Sequence, residues 1–429
     1  MPLNIRIRGI RKYMDIKSQL HRLREMLAPV IETNAFYKKK LTEVGITHPN
    51  DIQTFTDYQQ LPFTTKDELS ADQVSHPPYG TNLTFPLEQY TCIHQTSGTT
   101  GAPLRWLDTR ESWDWWGKCW RDIYNAAGVT SSDRLMMAFS FGPFIGFWSA
   151  YHGAQQLGAL TIANGGLTSE QRIRAILSND VTVVICTPTY ALRLAEVAEQ
   201  EGVNLSKDSK VRVTIHAGEP GASLSATKQR IEDRWGARAY DHAGATEVGA
   251  WGVMCGPQAG VHLNEDEFIC EVLDPETGNP AEEGELVITN LGRIGMPVIR
   301  YRTGDYVKLK SEPCECGNQH RVLDGGVIGR LDNAIIIRGL NVYPATIENI
   351  ILKFSDVSEF AVRAYRTETL DELEIQIEST NANPANTATD VSSAIRNALG
   401  LRTIVKVVPP GTLPRFELKS KRFTDERAL

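Results

Sequence analysis

Glycines alternate with hydroxyl side chains in His94-Gln95-Thr96-Ser97-Gly98-Thr99-Thr100-Gly101-Ala102-Pro103, a composition that suits a triphosphate. Flexible backbone, N–H groups and hydroxyls together make ATP chemistry the first hypothesis. A Walker-type loop needs Gly-Lys-Ser/Thr leading into a helix, whereas Gly101 is followed by Ala102 and Pro103. This is a different phosphate loop, and its plain alternative is a hydroxyl-rich surface turn.

Two further segments carry chemistry. Tyr240-Asp241-His242-Ala243-Gly244-Ala245-Thr246-Glu247 sets a hydroxyl beside a carboxylate on a glycine-flexed turn, suited to a phosphate oxygen and a hard cation such as Mg2+. Tyr301-Arg302-Thr303-Gly304-Asp305 supplies a carboxylate on a turn that could accept both ribose hydroxyls. Taken alone, Thr246 also reads as a helix N-cap and Asp305 as a tight-turn aspartate.

The seven cysteines are an odd number in a long chain, which argues for thiols or metal ligands over a disulfide framework. Cys92, Cys119, Cys186 and Cys270 lie in apolar surroundings. Cys314-Glu315-Cys316-Gly317 differs, since two thiols on a Pro- and Gly-bounded turn can converge on one ion. With Cys255 and His262 they would form a Cys3His zinc site, with His320 an alternative fourth ligand. Free thiols on a surface hairpin are the competing reading.

The elements that must position these groups show in the alternation of periods. Residues Asp15 to Lys40 repeat apolar side chains at helical spacing, as do Arg110 to Ala127, which carry Trp113, Trp116 and Trp120. Apolar runs at Leu135 to Phe139, Leu160 to Ala163, Val181 to Cys186 and Val211 to His216 read as buried strands. Helical stretches at Ser169 to Ser178 and Tyr190 to Glu201 separate them. Strand-helix-strand repetition predicts an α/β fold with a largely parallel sheet. Ligands of such sheets sit beyond the carboxyl ends of strands, so Thr187-Pro188-Thr189 and Ala217-Gly218-Glu219-Pro220 are candidate site loops. From about Ala334 onward, strand and helix signals predict a small α+β lid with a polar turn at Asn381 to Asn386. The predicted division is residues 1–332, with the zinc subsite at 255–316, and 333–429.

With 429 residues, 41% hydrophobic and 23% charged, the composition is that of an ordinary globular protein. A net charge of -7 offers no general field for polyanions, so nucleic-acid binding is not favoured. Arg6, Arg8, Arg11 and Lys12 interrupt the N-terminus, which lacks an apolar signal core; a cytoplasmic location is the expectation. Phe139 to Trp148 is apolar but too short to span a bilayer, so no membrane partner is expected.

The ordered series Thr-Ser-Gly-Thr-Thr-Gly, Ala-Gly-Glu-Pro, Gly-Ala-Thr-Glu, Tyr-Arg-Thr-Gly-Asp and Gly329-Arg330-Leu331-Asp332-Asn333 resembles the adenylate-forming superfamily of acyl-CoA synthetases. Gly339-Leu340-Asn341-Val342-Tyr343-Pro344 and Gly411-Thr412-Leu413-Pro414-Arg415 are similar to the phenylacetate-CoA ligase family within it. That resemblance implies a large N-terminal domain, a mobile C-terminal domain and two reaction steps. A carboxylate attacks the α phosphate of ATP to give acyl adenylate and pyrophosphate; a CoA thiolate then displaces AMP. Carried over by motif, Thr96, Ser97, Gly98, Thr99, Thr100 and Gly101 would hold the β and γ phosphates. Thr246 would lie near the α phosphate and Glu247 would bind Mg2+. Gly218, Glu219 and Pro220 would border adenine beside Asp241, Asp305 would hold the ribose with Arg330, and Asp332 would be the hinge. The resemblance also implies a possible homodimer.

Charge developing on the phosphates calls for one more cation. Lys419 in Arg415-Phe416-Glu417-Leu418-Lys419 is similar to the family's terminal Gly-Lys motif, although Leu418 replaces the glycine; Lys421 is its rival. The acid pocket departs from the family pattern. Ala243 stands where phenylacetate-CoA ligases usually place tyrosine, which makes room. Phe139 and Phe144 match aromatic pocket positions, and Phe141, Phe147, Trp148, His216, Ala217 and His242 would complete a wall for a flat apolar acid. The expectation is an aryl-CoA ligase acting on an aromatic or heteroaromatic acid with ATP, Mg2+ and CoA. Alternatives are an adenylyltransferase or carrier-protein-loading enzyme with a different acceptor, and a nucleotide-binding protein without catalysis.

Overall fold

The computed structural model describes residues 16–96, 103–139, 141–257, 260–337, 340–367, 371–416 and 420–427. The chain divides into two compact units: one holds 1–133, 140–161 and 242–326, the other 134–139, 162–241 and 327–429.

In the first unit, the N-terminal helical signal resolves into two helices, Ile16–Thr33 and Ala35–Thr42. Asn34 separates them as an N-cap, its side chain accepting from the Tyr37 N–H at 3.1 Å. The helix spacing works as expected. Leu23, Met26, Leu27 and Val30 fall on one face and are fully buried with Tyr58, Ile269 and Ile299, each worth about 1.5–3 kcal/mol of transfer free energy. A hairpin of Tyr90–Gln95 and Arg105–Thr109 runs into the helix Arg110–Ala126, which Thr109 caps through the Ser112 N–H. Antiparallel strands follow. Phe268–Leu273 pairs with Glu283–Asn290, which pairs with Tyr301–Leu309, and Gly249–Met254 pairs with Val261–Leu263.

In the second unit, Arg134–Met137, Val183–Cys186, Val213–His216 and the first half of Arg238–Ala245 form a parallel ladder in that order. Helices Ser169–Ser178, Pro188–Gln200 and Ser225–Trp235 make the crossovers. Met136, Val184, Cys186 and Ala239 pack against Ile173, Ile176, Leu194 and Ile231. Strands buried on both faces read as continuous apolar runs, which is why the sequence displayed them. The Thr187-Pro188-Thr189 loop proves to be a helix start: Thr187 is the N-cap, Pro188 occupies the first turn, and the Tyr190 N–H bonds Thr187 Oγ1 at 3.2 Å.

The C-terminal part of this unit is α+β, as expected. Its sheet runs Ile404–Val408, Asp371–Ser379, Val357–Arg366, Phe423–Asp425, with an antiparallel central pair and parallel edges. Helices Pro344–Ile351 and Pro384–Leu399 cover it through Ile347, Ile351, Val391 and Ile395. The helix read from Val391 begins seven residues earlier, because Pro384 fits a first helical turn where its missing N–H costs nothing. The polar turn at Asn381 to Asn386 is correspondingly shorter.

Candidate active site

Thr246, Glu247 and Val248 form the turn between the end of Arg238–Ala245 and Gly249–Met254. No helix starts there, so Thr246 is not a cap. The turn is gripped from behind by its carbonyls. Arg293 Nη1 donates to the Thr246 oxygen at 2.6 Å and the Glu247 oxygen at 3.4 Å, and Asn290 Nδ2 donates to the Val248 oxygen at 2.9 Å. Arg293 is itself fixed by a two-pronged ion pair with Asp108, both bonds 2.7 Å and both side chains fully buried. Trp106 and Trp116 lie over its guanidinium at 5.0 and 5.4 Å. Burial pushes the Asp108 carboxyl up, and the guanidinium opposes that shift. The Glu247 carboxylate has no hydrogen-bond or ion-pair partner among the described residues although the residue is only 9% exposed. A carboxylate so placed fits a hard cation.

Arg293, Asn290 and Asp108 were not visible as site residues in the sequence. Asp108 sits inside Arg-Trp-Leu-Asp-Thr and Arg293 follows a Leu-Gly pair, 185 residues apart. A buried arginine cannot be told from an exposed one until its partner is known.

Thr96 closes the base of the glycine loop: its N–H donates to the Leu104 oxygen at 3.0 Å, and its hydroxyl accepts from the Leu104 N–H at 3.0 Å. Ser97, Gly98, Thr99, Thr100 and Gly101 lie outside the described residues. Asp305 is in the strand Tyr301–Leu309 and not on a turn. Between the pairs Val287↔Arg302 and Glu285↔Tyr306 the register shifts, and Gly304 takes φ +74° at that bulge. The Asp305 N–H then bonds Thr303 Oγ1 at 3.0 Å. A bulge re-aims the side chain that a regular strand would place by alternation.

Within the second unit, Ala217, Gly218, Glu219 and Pro220 follow the strand Val213–His216 at its carboxyl end, the position expected of a site loop. Asp241 ties the far side of that loop, accepting from the Ser223 N–H at 2.8 Å and from its hydroxyl. Burial raises the Asp241 carboxyl to about 6. Gly221 is required by close approach, since a Cβ there would meet Pro188 Cγ at 2.1 Å. His216 is fully buried with both ring nitrogens engaged, at the Cys186 oxygen (3.3 Å) and Thr214 Oγ1 (2.9 Å). Burial holds it neutral, with a value of about 4.

Glu219 is the surprise of this loop. Its carboxylate accepts from the Thr189 N–H at 3.0 Å and from the Ser420 N–H at 2.8 Å. Lys419 itself lies outside the described residues, but its flanks do not. Arg415 pairs with the buried Glu378 at 2.8 Å on one side, and Arg422 pairs with Glu359 and Glu348 at 2.6 and 2.7 Å on the other. Arg330 and Asp332 pair with each other through two bonds of 2.9 and 3.0 Å on an exposed 3-10 turn.

An aromatic wall lines the start of the helix Ile145–Leu157 in the first unit. Phe141 meets Trp148 edge-on at 4.8 Å and Tyr151 at 6.1 Å, Trp148 is 40% exposed, and Phe144 caps the helix. The same helix reaches the Ala243 strand through contacts: Trp120 Nε1 donates to Ser149 Oγ at 2.9 Å, and the Trp120 ring packs on His242 at 4.6 Å. Ala243 faces Gly252, whose added Cβ would stand 2.6 Å from the alanine Cβ, so two minimal side chains oppose each other. Phe139 is half-buried at the end of its strand in the other unit. Cys255, His262, Cys314 and Cys316 gather as one cluster, from which His320 stays apart. Among the described residues no helix is long and apolar enough to cross a membrane.

Residues 21–293 match the AMP-binding enzyme family, and residues 339–427 match the AMP-binding enzyme C-terminal domain. The chain belongs to the adenylate-forming, AMP-binding enzymes. It is 31% identical over 423 residues to the phenylacetate-coenzyme A ligase of Pseudomonas putida, spanning 95% of this chain and 93% of that one. The enzyme of the same name from Thermus thermophilus is 31% identical over 425 residues, with 93% of each covered. Among solved structures, 2-hydroxyisobutyryl-CoA ligase in its postadenylation state superposes with a TM-score of 0.90 at 27% identity, covering 96% of this chain and 90% of that chain. In its thioesterification state with 2-HIB-AMP and CoA, the TM-score is 0.72 at 29% identity, with 96% and 90% covered. This adenylate-forming enzyme is an acid–thiol ligase, joining a carboxylic acid to CoA at the expense of ATP.

Proposed function

We propose that the acid is aromatic or heteroaromatic and that the product is an aryl-CoA thioester. The observation that carries this reading is the partly exposed wall of Phe141, Trp148 and Tyr151. A flat ring has an edge-to-face partner there, and Ala243 stands where the phenylacetate-CoA ligases that this chain resembles usually carry tyrosine. Full-length similarity to phenylacetate-coenzyme A ligases agrees with it.

In the first step an oxygen of the acid's carboxylate attacks the α phosphorus, a P–O bond forms, and pyrophosphate leaves. Thr96 to Gly101 hold the outer phosphates, the Thr246 hydroxyl meets the α phosphate, and Asp305 takes the ribose hydroxyls. Glu247 would hold Mg2+, which when bound supplies charge neutralisation on the phosphates. The rigid grip of Arg293 and Asn290 on the turn carbonyls keeps the Thr246 and Glu247 side chains oriented before nucleotide arrives. Lys419 offsets charge on the bridging oxygen. In the second step the CoA thiolate attacks the acyl carbon and AMP leaves with the electron pair of the broken C–O bond.

Two observations favour rival details. The superposition on 2-hydroxyisobutyryl-CoA ligase favours a small aliphatic hydroxy acid. Similarity over 144 residues, 34% of this chain, to a β-alanine-activating enzyme of Danio rerio favours a small amino acid as the group activated. Mass spectrometry of products from ATP, Mg2+, CoA and a mixed panel of aryl, heteroaryl and short aliphatic acids separates the three. Aryl-CoA with AMP is expected. Thioesters from short aliphatic acids alone would overturn the aryl reading, and acyl adenylate that CoA fails to consume would point to another acceptor.

A further inference from the structure

Within the first unit, three thiols and one imidazole converge. The ligand atoms of Cys255, His262, Cys314 and Cys316 all lie within 4.8 Å of one another. Cys255 Sγ is 3.4 Å from Cys314 Sγ, and Cys316 Sγ is 3.4 Å from His262 Nε2. Tetrahedral zinc with bonds of about 2.3 Å to sulfur and about 2.0 Å to nitrogen would set such pairs about 3.8 and 3.5 Å apart. A disulfide needs about 2.05 Å. We propose that these four residues bind one structural zinc ion.

Two neighbouring strands and one connection bring in the ligands. Cys255 directly follows Gly249–Met254, and His262 is the middle of Val261–Leu263, opposite both Val253 and Val322. Cys314 and Cys316 come from the connection between Tyr301–Leu309 and Val322–Arg330. The surroundings suit a metal as well as the ligands do. His262 Nδ1 lies 3.2 Å from the His320 oxygen; donating there fixes the tautomer and leaves Nε2 as the ligand. The Asn318 N–H donates to Cys316 Sγ at 3.4 Å, which relieves charge on a thiolate. His320 serves through its carbonyl, while its Nε2 faces Asp266 at 3.4 Å.

Soft thiolates with one imidazole favour zinc over Mg2+ or Ca2+. Four protein ligands leave no open position, so the ion is structural and not catalytic. Its purpose follows from burial. Residues 311–319 are exposed except for the half-buried Cys314, so this stretch has no apolar core to anchor it. A metal supplies the missing anchor, binding the connection to the neighbouring strands.

The test starts with elemental analysis of the purified wild-type chain, where one zinc per chain is expected. Cys316→Ser and Cys314→Ser should each lose most of the metal, whereas His320→Ala, which retains the carbonyl, should keep it. Because a serine variant could misfold, wild-type protein loaded with cobalt(II) gives a second readout: intense tetrahedral thiolate bands are expected. Removing zinc from the wild type should open proteolysis within residues 311–319. Folded, metal-free wild type with these thiols all alkylatable would overturn the proposal, as would a mapped Cys255–Cys314 disulfide or octahedral cobalt spectra.

Discussion

The Thr246–Glu247 turn and the segment around Lys419 are held in opposite ways. The turn is gripped through three consecutive carbonyls by Arg293 and Asn290, both with no exposed surface, and Arg293 is locked by an equally buried Asp108. The Lys419 segment is anchored at its ends within its own small sheet domain, by Arg415 to Glu378 and Arg422 to Glu359. Between those anchors, the half-buried Glu219 accepts one backbone N–H from Ser420. Breaking a buried two-pronged ion pair costs several kcal/mol, whereas a hydrogen bond to a half-exposed carboxylate costs about 1.5 kcal/mol. The first arrangement suits a group that must never move. The second suits one that docks and leaves, as the two proposed steps require of a lysine needed mainly in the first.

The largest effect is expected from removing the proposed cation. Lys419→Ala should reduce ATP–pyrophosphate exchange by about 10²–10³, in the range seen when one transition-state charge donor is lost. Consumption of preformed acyl adenylate with CoA should suffer much less. Unchanged exchange would remove Lys419 from the first step.

Arg293→Met tests the rigid region. It leaves Asp108 buried and unpaired and frees two carbonyls, so unfolding free energy should fall by about 3–5 kcal/mol. Nucleotide binding should weaken with it. The double variant R293M/D108L restores an apolar pair; if it recovers stability but not nucleotide affinity, the turn-holding role is separated from simple packing. Recovery of both would show that the carbonyl grip is dispensable.

Glu219→Gln tests the detachable region. It retains an acceptor oxygen but removes the charge, and first-step turnover should drop about three- to tenfold, equivalent to about 1 kcal/mol. The thioester step should be unchanged or faster. A larger loss in the second step than in the first would contradict a docking role.

The smallest effect is on stability against pH. Burial holds His94, His216 and His242 at about 4 against an ordinary 6.5. The unfolded chain therefore takes up protons that the folded chain refuses as pH falls from 6.5 to 4, and stability declines over that window. Asp241, raised to about 6 from 3.8, and Glu348, raised to about 7 from 4.5, act with the opposite sign because the folded state binds their protons first. Three histidines outweigh two carboxyls, so the thermal midpoint should fall from pH 6.5 to 4. A rising midpoint would show that the carboxyls dominate.

How much of this was legible follows from where the information lies. The parallel strands and their helices were readable because residues buried on both faces make continuous apolar runs, as in Val183–Cys186. The antiparallel strands were not singled out. Glu283–Asn290 is buried at seven of eight positions yet contains Glu285, Thr289 and Asn290, whose partners lie elsewhere in the chain. Asp305 reads from the sequence as a turn residue but lies in a strand beside a bulge, which depends on the partner strand's register.

Candidate chemistry written in short contiguous segments was thus legible in the sequence alone: the glycine loop, the Thr-Glu pair, the strand-end loop at Gly218 to Pro220, and the thiols of the proposed zinc quartet. Their types and local spacing limit what they can bind. What only the tertiary structure decided is what holds them. Arg293 reaches Asp108 across 185 residues, Glu219 meets Ser420 across 201, and His262 rather than His320 turns its ring to the thiols. A side chain's charge is a local property, but its burial and partner come from the packing of distant segments, and those decide whether it acts or supports.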